Sequence, residues 1–301
     1  MVERPIYKHS ITLAILACLL WSSAFAGIKI GLQYTTPLQF AGFRFMLAGM
    51  LLIPFCRNLR TELKKAYKNR KRVLVISLFQ TALSYTLFYL GISRVPAAVT
   101  AVIIGAGPLF IAVMAHFLSD NPERMTRKKA IAMIIGFLGI IVLAFIKEND
   151  ANHSHELLFG IVLLILGSIS GSYGNILVSR KHTEVNPLLL NAVQIFIGGF
   201  VIFIISIFVE GFQFDPKPWP YFVSLGYLSF ISAAAFTLWF VILGRTDVKV
   251  SEINVWKFII PFMGAILSWL LVPGESPAWY TFAGMTLIGM AVFIMYGKVR
   301  L

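Results

Sequence analysis

Apolar runs of roughly twenty residues, separated by short polar breaks, recur along almost the whole chain. Each run is continuous and lacks the strict in–out alternation of a barrel strand, so each predicts a helix able to cross a bilayer. Ten such segments are expected, at 9–31, 37–57, 73–92, 95–118, 127–147, 157–180, 187–210, 218–243, 248–272 and 277–297. The predicted fold class is all-α, a polytopic membrane protein with ten transmembrane helices. The connections leave no room for a soluble domain, and the one long polar stretch runs from Arg57 to Arg72.

Landmarks repeat along these segments. Gly91, Pro108 and Gly136 return as Gly244, Pro261 and Gly289 at a constant offset of 153, and Pro37 returns as Pro187. The shift carries five segments. That number is odd, so the second copy would enter the membrane upside down relative to the first. Two inverted five-helix repeats, residues 1–147 and 148–301, are therefore expected. That organisation is one used by transporters.

Composition agrees, since 58% hydrophobic and 13% charged residues leave too little polar surface for a soluble globule. A net charge of +13 raises nucleic acid as a partner, but the distribution of the cations argues otherwise. Lysine and arginine crowd alternate connections: Arg4 and Lys8, the Arg57–Arg72 stretch, Arg124 to Lys129, Arg180, Lys181, Arg245, Lys249, Lys298 and Arg300. Arg94, Lys147 and Lys217 fall on the opposite side, with Glu148, Asp150, Glu156, Glu210, Asp215 and Glu275. By the positive-inside rule both termini are cytoplasmic, in a multi-pass protein of the inner or plasma membrane. The basic stretch is expected to lie on anionic headgroups. It offers only Tyr67 for stacking, so nucleic acid is not an expected partner.

Ala24-Phe25-Ala26 looks like a signal-peptidase site, but apolar character continues to Leu32 and the second repeat has its own counterpart segment, so cleavage is not expected. Cys18 and Cys56 read as small apolar fillers without a structural disulfide. His153-Ser154-His155-Glu156 holds metal-ligand residue types without a second cluster to complete a site. No metal and no cofactor are expected.

Trp21-Ser22-Ser23, Lys29, Pro37 with Arg44, and Pro108 followed by Asp120 are similar to the EamA pattern of the drug/metabolite transporter superfamily. The second half resembles it too, through Pro187, Gln194 at the place of Arg44, Pro261, and Pro273-Gly274-Glu275 near a Gly-Glu pair frequent in the family. Ser119-Asp120 departs from that pair in the first copy. The resemblance covers nearly the whole chain. It implies a ten-segment secondary transporter, usually an inner-membrane exporter of amino acids or other small metabolites, and does not fix the substrate.

Charge inside the bilayer is the sharpest chemical signal, because a lysine or arginine at a helix centre costs roughly 2.5–3.5 kcal/mol. Lys257 lies near the middle of segment nine and is expected in a polar cavity, facing a substrate carboxylate. Lys29 and Arg44 lie nearer the outer ends of segments one and two, where carbonyl contacts or snorkelling explain them. Pro261 removes the helical partner of the Lys257 carbonyl, and Pro108 does so for Ile104. Both prolines are candidate hinges. Trp21, Ser22, Ser23, Ser84, Tyr85, Ser172, Tyr173 and Asn175 lie at depths that suit a shared pocket, and Trp239 and Trp256 are candidates for its aromatic wall.

The leading expectation is thus a secondary transporter, an exporter of small metabolites such as amino acids or other carboxylate-bearing solutes working by alternating access, with no enzymatic activity. An exporter of cationic drugs is the alternative, weakened by the lack of a deep carboxylate. An intramembrane hydrolase would need a base near its nucleophile, yet Ser168 spoils a Gly-x-Ser-Gly motif and His9, His116 and His182 lie near helix ends. No filter-like stretch suggests a channel. Oligomeric state is not legible.

Overall fold

The computed structural model of the 301-residue chain describes residues 5–118, 126–144, 151–179, 185–245, 253 and 255–296. Every regular element among them is helical. They are α1 (Pro5–Gly31), α2 (Pro37–Leu52), α3 (Leu59–Lys68), α4 (Arg70–Ile76), α5 (Ser84–Ile92), α6 (Ala97–Gly105), α7 (Gly107–Leu118), α8 (Arg127–Ala144), α9 (Ala151–Ser179), α10 (Pro187–Val209), α11 (Trp219–Leu243), α12 (Ile259–Leu271) and α13 (Trp279–Tyr296). Among the described residues, seven stretches are long and apolar enough to cross a membrane, and α12 and most of α13 are apolar but shorter. Large side chains such as Leu16, Phe230, Leu270 and Phe293 are exposed on the outside, as contact with lipid requires.

Several segments depart from a plain α-helix. The Arg57–Arg72 stretch is largely helical, as α3 and the start of α4, with Ala66 the buried residue of α3. Segment three passes through a wider π-helical stretch, Ser77–Leu83, between α4 and α5. Segment four breaks at Ala106. There the Ala106 N–H donates to the Ile103 carbonyl (3.1 Å) and the Leu109 N–H to the Ala106 carbonyl (2.9 Å), because Pro108 has no N–H to offer Ile104. Segment nine contains a 3-10 turn, Val255–Phe258, directly before α12. Pro261 thus sits in the first turn of α12, where its missing N–H costs little, and Lys257 precedes that helix instead of lying in its interior as expected. Helix α9 starts at Ala151, several residues ahead of expectation. Ser119, Asp120, Arg180, Lys181, His182, Lys249, Glu252 and residues 147–150 lie outside the described residues.

The helices associate in pairs: α2 on α10, α8 on α13, α6 on α12, α1 on α11 and α5 on α9. Close approach at these seams depends on small residues. A Cβ on Gly91 would stand 2.9 Å from the Gly160 carbonyl oxygen, and one on Gly105 2.5 Å from Pro261 Cγ. On the α2–α10 seam, a Cβ on Gly49 would meet the Phe196 Cβ at 2.6 Å and the Ala192 carbonyl oxygen at 2.8 Å.

Three carboxylates then tie helix starts to distant parts of the chain. Glu210, which follows α10, accepts from the backbone N–H groups of Leu38 (3.0 and 3.1 Å) and Gln39 (3.1 Å) at the start of α2. Glu275 accepts from Ala97 (2.6 Å) and Ala98 (3.0 Å) at the start of α6. Glu62 accepts from Asn186 (2.8 Å) just before α10, and its Lys65 partner and that amide together hold the carboxyl below the usual range. Each contact satisfies donors that a helix start leaves open and places a negative charge at the positive end of its dipole.

Candidate solute-binding cavity

Segments one to four, six, eight and nine converge on a cavity of about 140 Å³. Engineered apolar cavities of about 150 Å³ hold a benzene ring, which sets the scale. Two cations project into this space. Lys257, held in the 3-10 turn, places its Nζ 4.6 Å from the ring centroid of Trp239 and 5.7 Å from that of Trp21. Both distances are within the range of a cation–π contact.

Arg44 is the second cation, 2% exposed on α2. Its Nε donates to the Ser232 hydroxyl (2.9 Å) and the Leu228 carbonyl (3.3 Å), and its Nη1 to the Tyr89 hydroxyl (2.7 Å). All three acceptors are neutral. Among the described residues, no aspartate or glutamate lines the cavity. The described ion pairs, Lys65–Glu62 and Arg94–Glu156, involve helix ends and connections. A low-polarity enclosure with two cations and no internal anion attracts a negative group strongly.

The remaining polar lining combines amide and indole donors with hydroxyls that both donate and accept. Asn175 Oδ1 accepts from Trp239 Nε1 (3.2 Å) and Gln80 Nε2 (3.4 Å), which leaves its Nδ2 to face a solute. Trp21 Nε1 is buried without a hydrogen-bond partner. The Ser84 hydroxyl donates to the Gly167 carbonyl (2.9 Å). Around these groups stand Phe25, Phe88, Phe236, Ile28 and Ile260. Trp21 packs on Trp239 and Phe236 at centroid distances of 5.3 and 5.4 Å, so the aromatic side of the cavity is one continuous wall.

Of the residues expected here, Trp21, Ser84, Tyr85, Ser172, Asn175, Trp239 and Lys257 do line the cavity, and Arg44 joins them. Arg44 meets a carbonyl, as expected of a packing residue, yet also lines the cavity. Ser22 and Ser23 turn back instead, to the carbonyls of Cys18 (2.7 Å) and Leu20 (2.8 Å), as local serine–backbone bonds commonly do. Tyr173 points away to pack edge-on against Phe79 at 4.8 Å, and Trp256 packs into the neighbouring apolar core. Lys29 lies in the last turn of α1, where the charge of Glu275 acts on it. Pro108 and Pro261 are buried beside the lining residues Gly107 and Ile260 without lining the cavity themselves. Gln80 was not anticipated. An uncharged amide inside an apolar run was its one available signal.

Residues 8–145 and 158–297 both match the EamA-like transporter family. The chain belongs to that family. Among its relatives, the uncharacterized transporter YvbV of Bacillus subtilis strain 168 is 25% identical over 306 residues, covering 100% of this chain and 95% of the relative. The uncharacterized inner membrane transporter YedA of Escherichia coli K12 is 26% identical over 213 residues, 70% of this chain and 66% of its own. A solved crystal structure superposes with a TM-score of 0.69 over 95% of this chain and 97% of that one, at 17% identity, which shows a common fold. Family membership and the apolar helices make this a multi-pass membrane transporter, and the names of its relatives point away from an enzyme.

Proposed function

We propose that the protein is a secondary transporter, working as an exporter, that carries small carboxylate-bearing metabolites by alternating access. The observation that carries this reading is the cavity itself, which holds Lys257 and Arg44 and has no carboxylate among the described residues of its lining. A solute carboxylate supplies the missing negative charge.

The architecture we propose for it is ten crossing segments in two inverted halves, 1–147 and 148–301, with both termini cytoplasmic. Helix pairing supports this reading. Exchanging the halves turns the α2–α10, α6–α12 and α8–α13 pairs into themselves and the α1–α11 pair into the α5–α9 pair, as a two-fold axis in the membrane plane requires. The breaks beside Pro108 and Pro261 lie next to cavity-lining residues. They are the hinges about which the two access states exchange.

Counterflow in proteoliposomes tests the function. Vesicles preloaded with a small carboxylate should accelerate uptake of the labelled solute. Lys257→Met should raise the apparent KM for carboxylates by tenfold or more. A folded variant with unchanged KM for every carboxylate assigns the lysine a structural role.

A further inference from the structure

Resting on the reading of the cavity as a carboxylate site, we infer that its solute is a compact organic anion that lacks an ammonium group, so that α-amino acids and amines are turned away. The decisive juxtaposition is Lys257 Nζ over the faces of Trp239 and Trp21.

An amino acid needs a place for each of its charges. The two usual receptors for an ammonium group are a carboxylate and the face of an aromatic ring. Among the described residues no aspartate or glutamate lines the cavity, and of its aromatic faces the two indoles, the stronger cation receptors, are taken. The indole faces that form the aromatic wall already hold the protein's own ammonium at 4.6 and 5.7 Å. A solute ammonium entering this space would share those rings with Lys257 and stand near Arg44, so like charges would crowd a low-polarity enclosure.

The hydrogen-bond inventory agrees. Arg44, Lys257, Trp21 Nε1 and the Asn175 amide all offer donors toward the cavity, whereas an ammonium is itself donor-only. Gln80 Oε1 lies against α9 at Gly174, so the side-chain acceptors left to a solute are neutral hydroxyls such as those of Tyr85 and Ser172. Burying an ammonium without a charged acceptor costs far more than burying a methylene. Volume then limits the rest of the molecule. About 140 Å³ walled by phenyl and isoleucine side chains suits one ring or a short branched chain.

Two matched sets of compounds separate the charges. Phenylglycine without its amine is phenylacetate, and without its carboxylate it is benzylamine. Valine gives isovalerate and isobutylamine in the same way. Thermal unfolding of the purified protein in detergent is followed while each compound is titrated, since a bound solute raises the midpoint by linkage. The expected result is saturable stabilisation by phenylacetate or isovalerate, with the parent amino acid needing at least tenfold more and the amine giving none.

If the amino acids stabilise as well as the anions, carboxylate recognition stands and the exclusion of ammonium falls. If the amines stabilise and the anions do not, the carboxylate reading falls with it. Silence from all six compounds overturns the assignment of charge and size. Lys257→Met adds a second readout, because vacating the indole faces should weaken the anion response at least tenfold and create a response to benzylamine. Should that variant fail to fold, the wild-type comparison decides alone.

Discussion

Replacing Glu275 with glutamine isolates one carboxylate that holds two parts of the chain together. In the native protein its two oxygens accept from Ala97 and Ala98 at 2.6 and 3.0 Å, two of the three donors that the start of α6 leaves open after its proline N-cap. Glutamine keeps one oxygen, so one charged bond becomes neutral, a loss of about 1 kcal/mol. The other oxygen becomes an amide that faces an N–H, which forfeits about 1.5–3 kcal/mol. Removing the charge from the helix start adds about 0.3–1 kcal/mol. Water at the helix end recovers part of this, leaving a net loss of about 2–3 kcal/mol. Glu156→Gln is the matched control: its exposed carboxylate meets Arg94 at 2.8 Å, and such surface pairs contribute under about 1 kcal/mol. The midpoint in detergent can be followed with a thiol-reactive dye, because Cys18 is fully buried until unfolding. At about 2–4 °C per kcal/mol, Glu275→Gln should lower it by about 4–12 °C, several times the control. Equal shifts for the two variants would refute the capping argument.

Gly49→Leu should abolish a monodisperse, folded product, since even the first added carbon meets Phe196 and the Ala192 carbonyl on the α2–α10 seam; size-exclusion chromatography reads this directly. Arg44→Lys should lose at least tenfold in transport while remaining folded, because an ammonium cannot reach Leu228, Ser232 and Tyr89 as the guanidinium fork does. The depressed carboxyl of Glu62 contributes stability that is complete above the ordinary carboxylate range and fades as pH falls through its lowered pKa. Glu62→Gln should therefore flatten the acid limb of a stability–pH profile, and an unchanged limb assigns that loss to other groups.

Much of the fold is legible in the sequence because a bilayer imposes long apolar runs, and those runs locate nearly all the helices. The break in segment four is legible for a different reason: Pro108 removes a specific hydrogen bond, and the chain yields two residues earlier. The α3 helix is harder to see. Its charges mask a short amphipathic pattern, with Leu59, Leu63 and Ala66 at helical spacing. Within the site, depth along a segment is readable but direction around it is not. Adjacent residues in a helix differ by about 100°, so Ser84 faces the cavity while Ser22, at a comparable depth, faces its own backbone. Phe25, Phe88 and Phe236 gave no signal, because phenylalanine on a lipid face and on a cavity wall has the same hydropathy. The capping roles of Glu210 and Glu275 are not legible in the sequence, since their partners are backbone groups more than 170 residues away.

The π-helical stretch between α4 and α5 changes the phase of the chain. A π turn accommodates one more residue than the ladder around it, so the helix above it is rotated by about a third of a turn relative to an unbroken rod. Ser84, Tyr85 and Phe88 look inward through that rotation, while Val73 and Ile76 below keep their own buried face. Winding Ser77–Leu83 as a plain α-ladder at the same residue count would swing all three away together, whereas deleting one residue there would remove the π turn and leave them facing inward. Segment three is therefore a splice of two half-helices with different headings, and its winding fixes what the solute meets as firmly as any side chain does.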